Sequence, residues 1–441
     1  MQNDKITLKD LSIFSSDGAD VFGLLDHTVT QAGKEMLREI IQKPPADFDS
    51  LQKTQDTIRF WSANQELWPS VISNGTLVML GKFFEVADDI AARPSMIASM
   101  IGPALQKIFN RNQYFFIRFS LSHLSDFLKG CLQLTDILQR DDLPALLKKE
   151  LETIKEELEH SRLTDDIIAI NKESTYAELT KLSHDSRREM KNMVYRLSTH
   201  YARLDAWQAM GKATINNKWV FPDLLPSGAI CFDAKGLYHP LLQKPVAYDI
   251  NLSDSRNFLL LTGANMSGKS TFMRSIGVAA LLAHLGLGVP ASALKISFLH
   301  GIITNMQVED NILMGESYFF AEVKRMKLIA QKMQQGEAHM VLMDELFKGT
   351  NVHDAYQCTS AIVEGLLNRP DQLMILSTHL FEVAEHFKDR KEVLFAYFVT
   401  DMAEDGTYHF TYELKEGISN DRIGYRILQK EGVLELLMRK K

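Results

Sequence analysis

Phe258-Leu259-Leu260-Leu261-Thr262-Gly263-Ala264-Asn265-Met266-Ser267-Gly268-Lys269-Ser270 is the stretch that decides how this chain is read. The apolar run predicts a buried strand, the glycine-bearing segment a tight backbone curl, and the residues after Ser270 a helix. This order of strand, P-loop and helix has a physical cause. Gly263 and Gly268 let successive backbone N–H groups, with a helix N-terminus behind them, face an anion. In that arrangement Lys269 reaches the β- and γ-phosphates of a nucleotide and Ser270 holds Mg²⁺.

Two further apolar runs follow. Met340-Val341-Leu342-Met343 ends in Asp344-Glu345, and Leu373-Met374-Ile375-Leu376 leads to Ser377-Thr378-His379. Buried parallel strands deliver such residues to their C-terminal edge, where open α/β sheets bind ligands. Asp344 is expected to act on Mg²⁺, directly or through water, and Glu345 to orient and deprotonate an attacking water. His379 is placed to sense the γ-phosphate or that water, although spacing alone fits a structural histidine equally well.

Composition sets the outer bounds. A chain of 441 residues with 45% hydrophobic and 24% charged residues is an ordinary globular protein of roughly two to four domains, which excludes disordered and fibrous classes. Its 49 Lys+Arg against 56 Asp+Glu give a formal charge of -7, so no overall basic character advertises nucleic-acid binding, and a local basic face stays open. Cys131, Cys231 and Cys358 form neither a disulfide framework nor a zinc pattern and are expected as buried thiols in a reducing compartment. The start Met1-Gln2-Asn3-Asp4-Lys5 lacks the pattern of a secretory signal. The most apolar stretch, Ile276 to Pro290, falls short of the ~20 apolar residues of a bilayer span. A cytoplasmic protein without a membrane partner is therefore expected, and 276–290 reads as a buried helix.

The first two hundred residues read as helical, with proline at apparent joints. From about Asn216, short apolar runs alternate with glycine-bearing turns and helical segments, the signature of a parallel sheet wrapped by helices. The expected division is a helical domain at 1–214 and an α/β domain at 215–441. Leu147, Leu151, Ile154 and Leu158 form one apolar stripe, and Met190, Met193, Leu197, Tyr201 and Leu204 a second. Separated by the polar stretch Asp165 to Ser174, the stripes predict a long antiparallel helical hairpin, with two core helices of a compact bundle as the alternative.

The strings GANMSGKSTFMRSIG, DNILMGESYFFAEVKRM, MVLMDELFKGTNVHDA and LSTHLFEVAEHF together resemble the ATPase domain of the MutS family of DNA mismatch-repair proteins. LLDHTVTQAGKEMLREII, through Asp26, Thr28, Thr30 and Gly33, resembles the start of that family's helical core, and HPLL at His239 to Leu242 the segment before its P-loop. The resemblance implies a helical core and lever domain followed by an ABC-type P-loop ATPase domain with a mostly parallel sheet. It implies ATP and Mg²⁺ as ligands, with Gly263, Asn265, Met266, Ser267, Gly268, Lys269, Ser270 and Thr271 around the nucleotide. Ser270 and Asp344 become the magnesium residues, Glu345 the catalytic carboxylate, and His379 the switch histidine. Ser317 matches the signature serine that completes a partner subunit's site, which implies a homodimer through the ATPase domains. Gly349, Thr350, Asn351 and Asp354 match a loop along that interface. Duplex or branched DNA is the implied partner, in mismatch repair or recombination. The alternatives are a non-repair clamp on structured RNA or ribosomes and an interaction protein switched by ATP.

The departures from the family pattern carry expectations too. Phe347 and Lys348 stand where the family commonly has glycine and arginine after the two acids. The chain begins after the position at which a mismatch-reading domain would end, and the segment between its long helices is too short for a clamp domain, so mismatch reading is doubtful. Phe83-Phe84-Glu85 has the composition of an aromatic wedge but sits in the helical core and is read as coincidence. Ile423 to Leu437 resembles a terminal dimerisation element, or equally a helix covering its own sheet.

Overall fold

The computed structural model describes residues 4–15, 18–85, 111–306, 318–402, 408–419 and 436–437. They fall into two compact units: Leu25–Ile41 with Lys53–Ile215, and Met1–Leu24 with Gln42–Gln52 and Asn216–Lys441. The chain opens with α1 (Lys5–Asp10) and α2 (Val21–Leu25). Among the described residues there follow α3 (Gln31–Gln42), α4 (Phe48–Ala63), α5 (Asn74–Glu85), α6 (Arg111–Asp136), α7 (Ala145–Glu159), α8 (Leu163–Ile168), α9 (Tyr176–Glu189) and α10 (Lys191–Asn216).

In the helical unit both apolar stripes are buried, the first on α7 and the second on α10 with Met190 just ahead of it. The two helices run antiparallel. Arg196 of α10 donates twice to Glu157 of α7, at 2.7 and 2.8 Å, and Arg203 donates to Glu150 at 2.7 Å. What joins them is structured: α8 runs into the polar stretch, and α9 starts on a capping box between Thr175 and Glu178. Because α6 packs along α5, α7, α8 and α9, these helices make a bundle. Phe83 and Phe84 are buried in it with the Arg187 guanidinium 4.5 Å over the Phe83 ring, so neither ring is presented to a base.

One carboxylate organises the start of this unit. Asp205 on α10, fully buried, accepts from the N–H groups of Val29 and Thr30 at 2.9 Å and from the Thr30 hydroxyl at 2.7 Å. Thr30 Oγ1 in turn accepts from Gly33 N–H at 3.0 Å, capping α3. Gly33 has to lack a side chain, since a Cβ there would lie 2.2 Å from Asp205 Oδ2.

The second unit carries the sheets. Its elements are β1 (Asp223–Leu225), β2 (Cys231–Leu237), β3 (Tyr248–Ser253), β4 (Phe258–Thr262), α11 (Lys269–His284), β5 (Ala293–Ser297), β6 (Gly301–Asn305), α12 (Tyr318–Met333), β7 (His339–Asp344), α13 (Val352–Leu367), β8 (Leu373–Ser377), α14 (Phe381–Phe387), β9 (Val393–Met402) and β10 (Tyr408–Glu416). Six strands align in the order β10-β9-β4-β8-β7-β6, all pairs parallel except β10 with β9. Both faces of β4 and β8 are buried, the reason their sequences are continuous apolar runs. A four-stranded sheet, β1-β5-β2-β3, lies in the same unit. The segment 276–290 is buried as expected, its first part being the second half of α11. No helix among the described residues is long and apolar enough to cross a membrane.

The chain's change of character near Asn216 coincides with the end of α10, but residues 1–24, read from sequence as part of the helical domain, group with the sheets. Side chains of α1 satisfy polar groups along β6, an edge strand. Asp10 accepts from the Thr304 hydroxyl at 2.6 Å and from Met306 N–H at 3.1 Å, and Thr7 Oγ1 accepts from Thr304 N–H at 3.3 Å. Asp4 accepts from Arg325 of α12 at 2.8 Å.

Two stability predictions follow from these buried groups. Asp205→Ala leaves three donors without an acceptor and should destabilise the helical unit by about 3 kcal/mol, read as a lowered denaturant midpoint; an unchanged midpoint contradicts the capping role. His284 accepts from Leu299 N–H through Nε2 at 2.8 Å and pairs Nδ1 with Ala280 O at 2.8 Å, which fixes it as neutral. Burial pulls its pKa from 6.5 to about 4. The unfolded chain therefore binds a proton that the folded one does not, and stability is lost as pH falls from about 6.5 to about 4, by on the order of 3 kcal/mol. Unfolding curves across that window should show a shallower slope for His284→Gln.

Candidate functional site

The cavity of interest opens at the C-terminal edge of the six-stranded sheet and measures about 580 Å³. The loop from Gly263 to Gly268 forms one wall. Gly263 and Gly268 have φ of +133° and +110°, values open to glycine and costly for other residues. Gly268 is the N-cap of α11 and supplies no side chain to cap it, so the first N–H groups of that helix are offered to an anion. A Cβ on Gly268 would meet the Tyr412 ring at 3.3 Å, a second reason for glycine there. Met266 stands at the loop tip, 76% exposed, with φ of +67°.

Lys269 is buried beneath this loop. Its ammonium donates to the carbonyls of Gly263 and Ala264, both at 2.9 Å, and lies 3.7 Å from Glu345 Oε1. Burial lowers its pKa, against the attraction of Glu345 and Asp344. Ser270 Oγ donates to Asp344 Oδ2 at 2.6 Å, and Ser377 Oγ donates to Asp344 Oδ1. A hydroxyl and a carboxylate oxygen side by side are the hard oxygen donors that Mg²⁺ takes, with water and phosphate oxygens completing its shell. The donor chemistry and the uncapped helix thus fit a magnesium–phosphate group at this edge.

Glu345 faces the same cavity between two lysines and a histidine. Lys348 Nζ lies 3.2 Å and His379 Nδ1 3.7 Å from Oε2, opposite the Lys269 contact on Oε1. The His379 imidazole first, then Lys348 and Lys269, hold its pKa down to about 2 against burial. An ionised carboxylate aimed at the space above the loop is positioned to orient a water there.

The residues read from sequence as Lys269, Ser270, Asp344, Glu345 and His379 are therefore brought together, with Asn265, Met266, Gly268 and Thr271 lining the same cavity. Ser317 lies outside the described residues, as do 423–435 of the C-terminal stretch. Asn351 has a structural role, accepting from Asp354 N–H at 3.0 Å to cap α13.

Several site residues were not assigned from sequence. In the sequence Ser377 stands out only as the lead-in to His379, and Lys348 only as a departure from the family pattern. His239, Leu242, Lys244, Val246, Tyr248 and Tyr412 line the outer part of the cavity. Tyr248 packs edge-on against Phe272 at 5.0 Å, and burial pushes its phenol up to about 12. His239 is held near 4 by burial and then by Arg274, so its imidazole is uncharged at neutral pH. The HPLL string marked one end of it; the tyrosines, far apart in sequence, carried no signal.

Residues 6–214 match the family model of MutS domain III, and residues 259–440 match that of MutS domain V. The DNA mismatch repair protein MutS of Leuconostoc mesenteroides is 26% identical over 342 residues, 76% of this chain and 38% of the relative. That of Thermotoga petrophila is 30% identical over 273 residues, 57% of this chain and 34% of the relative. That of Halalkalibacterium halodurans is 28% identical over 243 residues, 54% of this chain and 28% of the relative. The aligned part thus spans about a third of the length of these curated relatives.

Proposed function

The chain belongs to the MutS family, and on that premise we propose that the cavity at the Gly263–Ser270 loop binds and hydrolyses ATP with Mg²⁺, in the service of a DNA-binding role of the mismatch-repair type. The observation that carries this reading is convergence. An uncapped helix N-terminus, a buried lysine, a serine–aspartate oxygen pair and an ionised glutamate all meet at one sheet edge.

In this reading the loop is a P-loop of an ABC-type ATPase domain. Lys269 exchanges its two loop carbonyls for β- and γ-phosphate oxygens, and the first turn of α11 receives the phosphates. Ser270 and Asp344 hold Mg²⁺, which when bound supplies charge neutralisation on the phosphates. Glu345 orients the attacking water and accepts its proton, and His379 keeps that carboxylate in place. Tyr248, Tyr412 and Val246 lie where an apolar wall receives the rest of the nucleotide. Ser317 of a second copy closes over the site, so that ATP joins two ATPase domains. The helical unit is the lever whose spacing responds, and duplex or branched DNA is the partner, a reading supported by the likeness to DNA mismatch repair proteins.

Glu345→Gln should bind ATP and lose hydrolysis by about 10²-fold or more, while Lys269→Ala should lose binding itself. The same Glu345→Gln protein should double its mass on adding ATP, measured by light scattering. A wild-type rate in Glu345→Gln rules out the carboxylate assignment, and unchanged mass rules out the shared site. Retention on perfect, mismatched and junction duplexes should fall as salt rises. Preference for structured RNA in competition would replace the DNA role with an RNA clamp.

A further inference from the structure

The turn that follows the two acids has an unusual construction. Glu345 and Phe347 both sit at positive φ, +53° and +61°, within three residues and without a glycine between them. A left-handed phenylalanine persists only where its surroundings over-determine it. Glu345 is pinned through its own N–H to Ser377 O at 3.0 Å, on β8. Phe347 is pinned from elsewhere: its N–H donates to Glu322 Oε1 at 3.0 Å, and its buried ring meets Phe319 at 5.6 Å. Both Glu322 and Phe319 belong to α12.

Glu322 is 2% exposed, and its second oxygen has no hydrogen-bond partner among the described residues. The backbone amides of Phe347, Gly349 and Lys348 stabilise its charged form, yet burial still raises its pKa. A buried carboxyl that serves backbone amides is costly to keep unless the geometry it enforces matters. Glycine would adopt this turn without help; this chain uses a bulky residue and an acceptor brought from another helix.

We propose that Glu322 is a positioning residue for Glu345: its carboxyl, with the Phe319–Phe347 ring contact, holds the left-handed turn that sets the direction in which Glu345 enters the cavity, and so couples that direction to the placement of α12. The proposal rests on the reading of Glu345 as the catalytic carboxylate. Because the holder sits on α12 and not on β7 or β8, a shift of α12 is felt at Glu345 without any change in the sheet.

The test compares Glu322→Leu, Glu322→Gln and Phe347→Ala in the full chain. ATP turnover is measured with hydrogen–deuterium exchange of residues 345–349. Glu322→Leu should lower kcat about 10- to 100-fold with KM for ATP changed less than about threefold, and exchange at the turn should speed up. Glu322→Gln keeps a carbonyl oxygen for Phe347 N–H and should retain most of both. Wild-type kcat in Glu322→Leu, equal loss in the Leu and Gln proteins, or a turn still protected in Glu322→Leu overturns the proposal. Where Glu322→Leu fails to fold, Phe347→Ala decides by the same split, a wild-type kcat again counting against it. No ATP hydrolysis by the wild type would instead sink the earlier functional reading, and exchange at the turn would still judge this one.

Discussion

The site depends on the Asp344 carboxylate, which receives a hydroxyl on each side, from Ser270 at the start of α11 and from Ser377 at the end of β8. Those two serines come from chain segments more than a hundred residues apart, and the sheet brings them together. In the ladder Asp344 stands opposite Ser377, and Ser377 opposite Leu261, so β8 separates the loop-bearing strand from the acid-bearing one by a single strand. Thr378 N–H donates to Leu261 O at 2.9 Å and closes the register at the edge. A slip of one residue would turn Asp344 to the opposite face and remove the pair. The continuous burial of β4 and β8 is what makes such a slip expensive.

The parts of this arrangement written in consecutive residues were legible. A strand, a two-glycine loop and a helix form one contiguous string, and the acids follow their strand directly. The parts that arise from register were not. Ser377 gains its role only when β7 and β8 are aligned, and Tyr248 and Tyr412 meet the cavity from strands in different sheets. Glu322 lay within a run of charged and apolar residues that reads as an amphipathic helix, and nothing local distinguishes a buried carboxyl there from a solvated one. Phe347 was visible as a substitution for glycine, but its left-handed backbone was not.

The helical half follows the same rule. Periodicity exposed the stripes on α7 and α10, which pair through Arg196–Glu157 and Arg203–Glu150. The string holding Asp26, Thr28, Thr30 and Gly33 was recognised by resemblance alone; its physical basis is Asp205, 175 residues beyond Thr30. The helical character of the first two hundred residues covers α1 but is silent about its neighbour, which is a sheet edge and not the helices that follow it in sequence.

The docking of α1 on β6 bears on how the chain is made. Asp10 and Met306 are separated by 296 residues, so α1 cannot dock on β6 until that whole intervening stretch has been translated. At the usual elongation rate of about 5–20 residues per second, that interval is on the order of 15–60 s. Meanwhile the helical bundle can complete itself, since its members lie between the two halves of the joint. Closure of α1 onto the sheet edge is then a late event in the synthesis of this stretch, and loop-closure entropy makes it among the last contacts to form and the first to open.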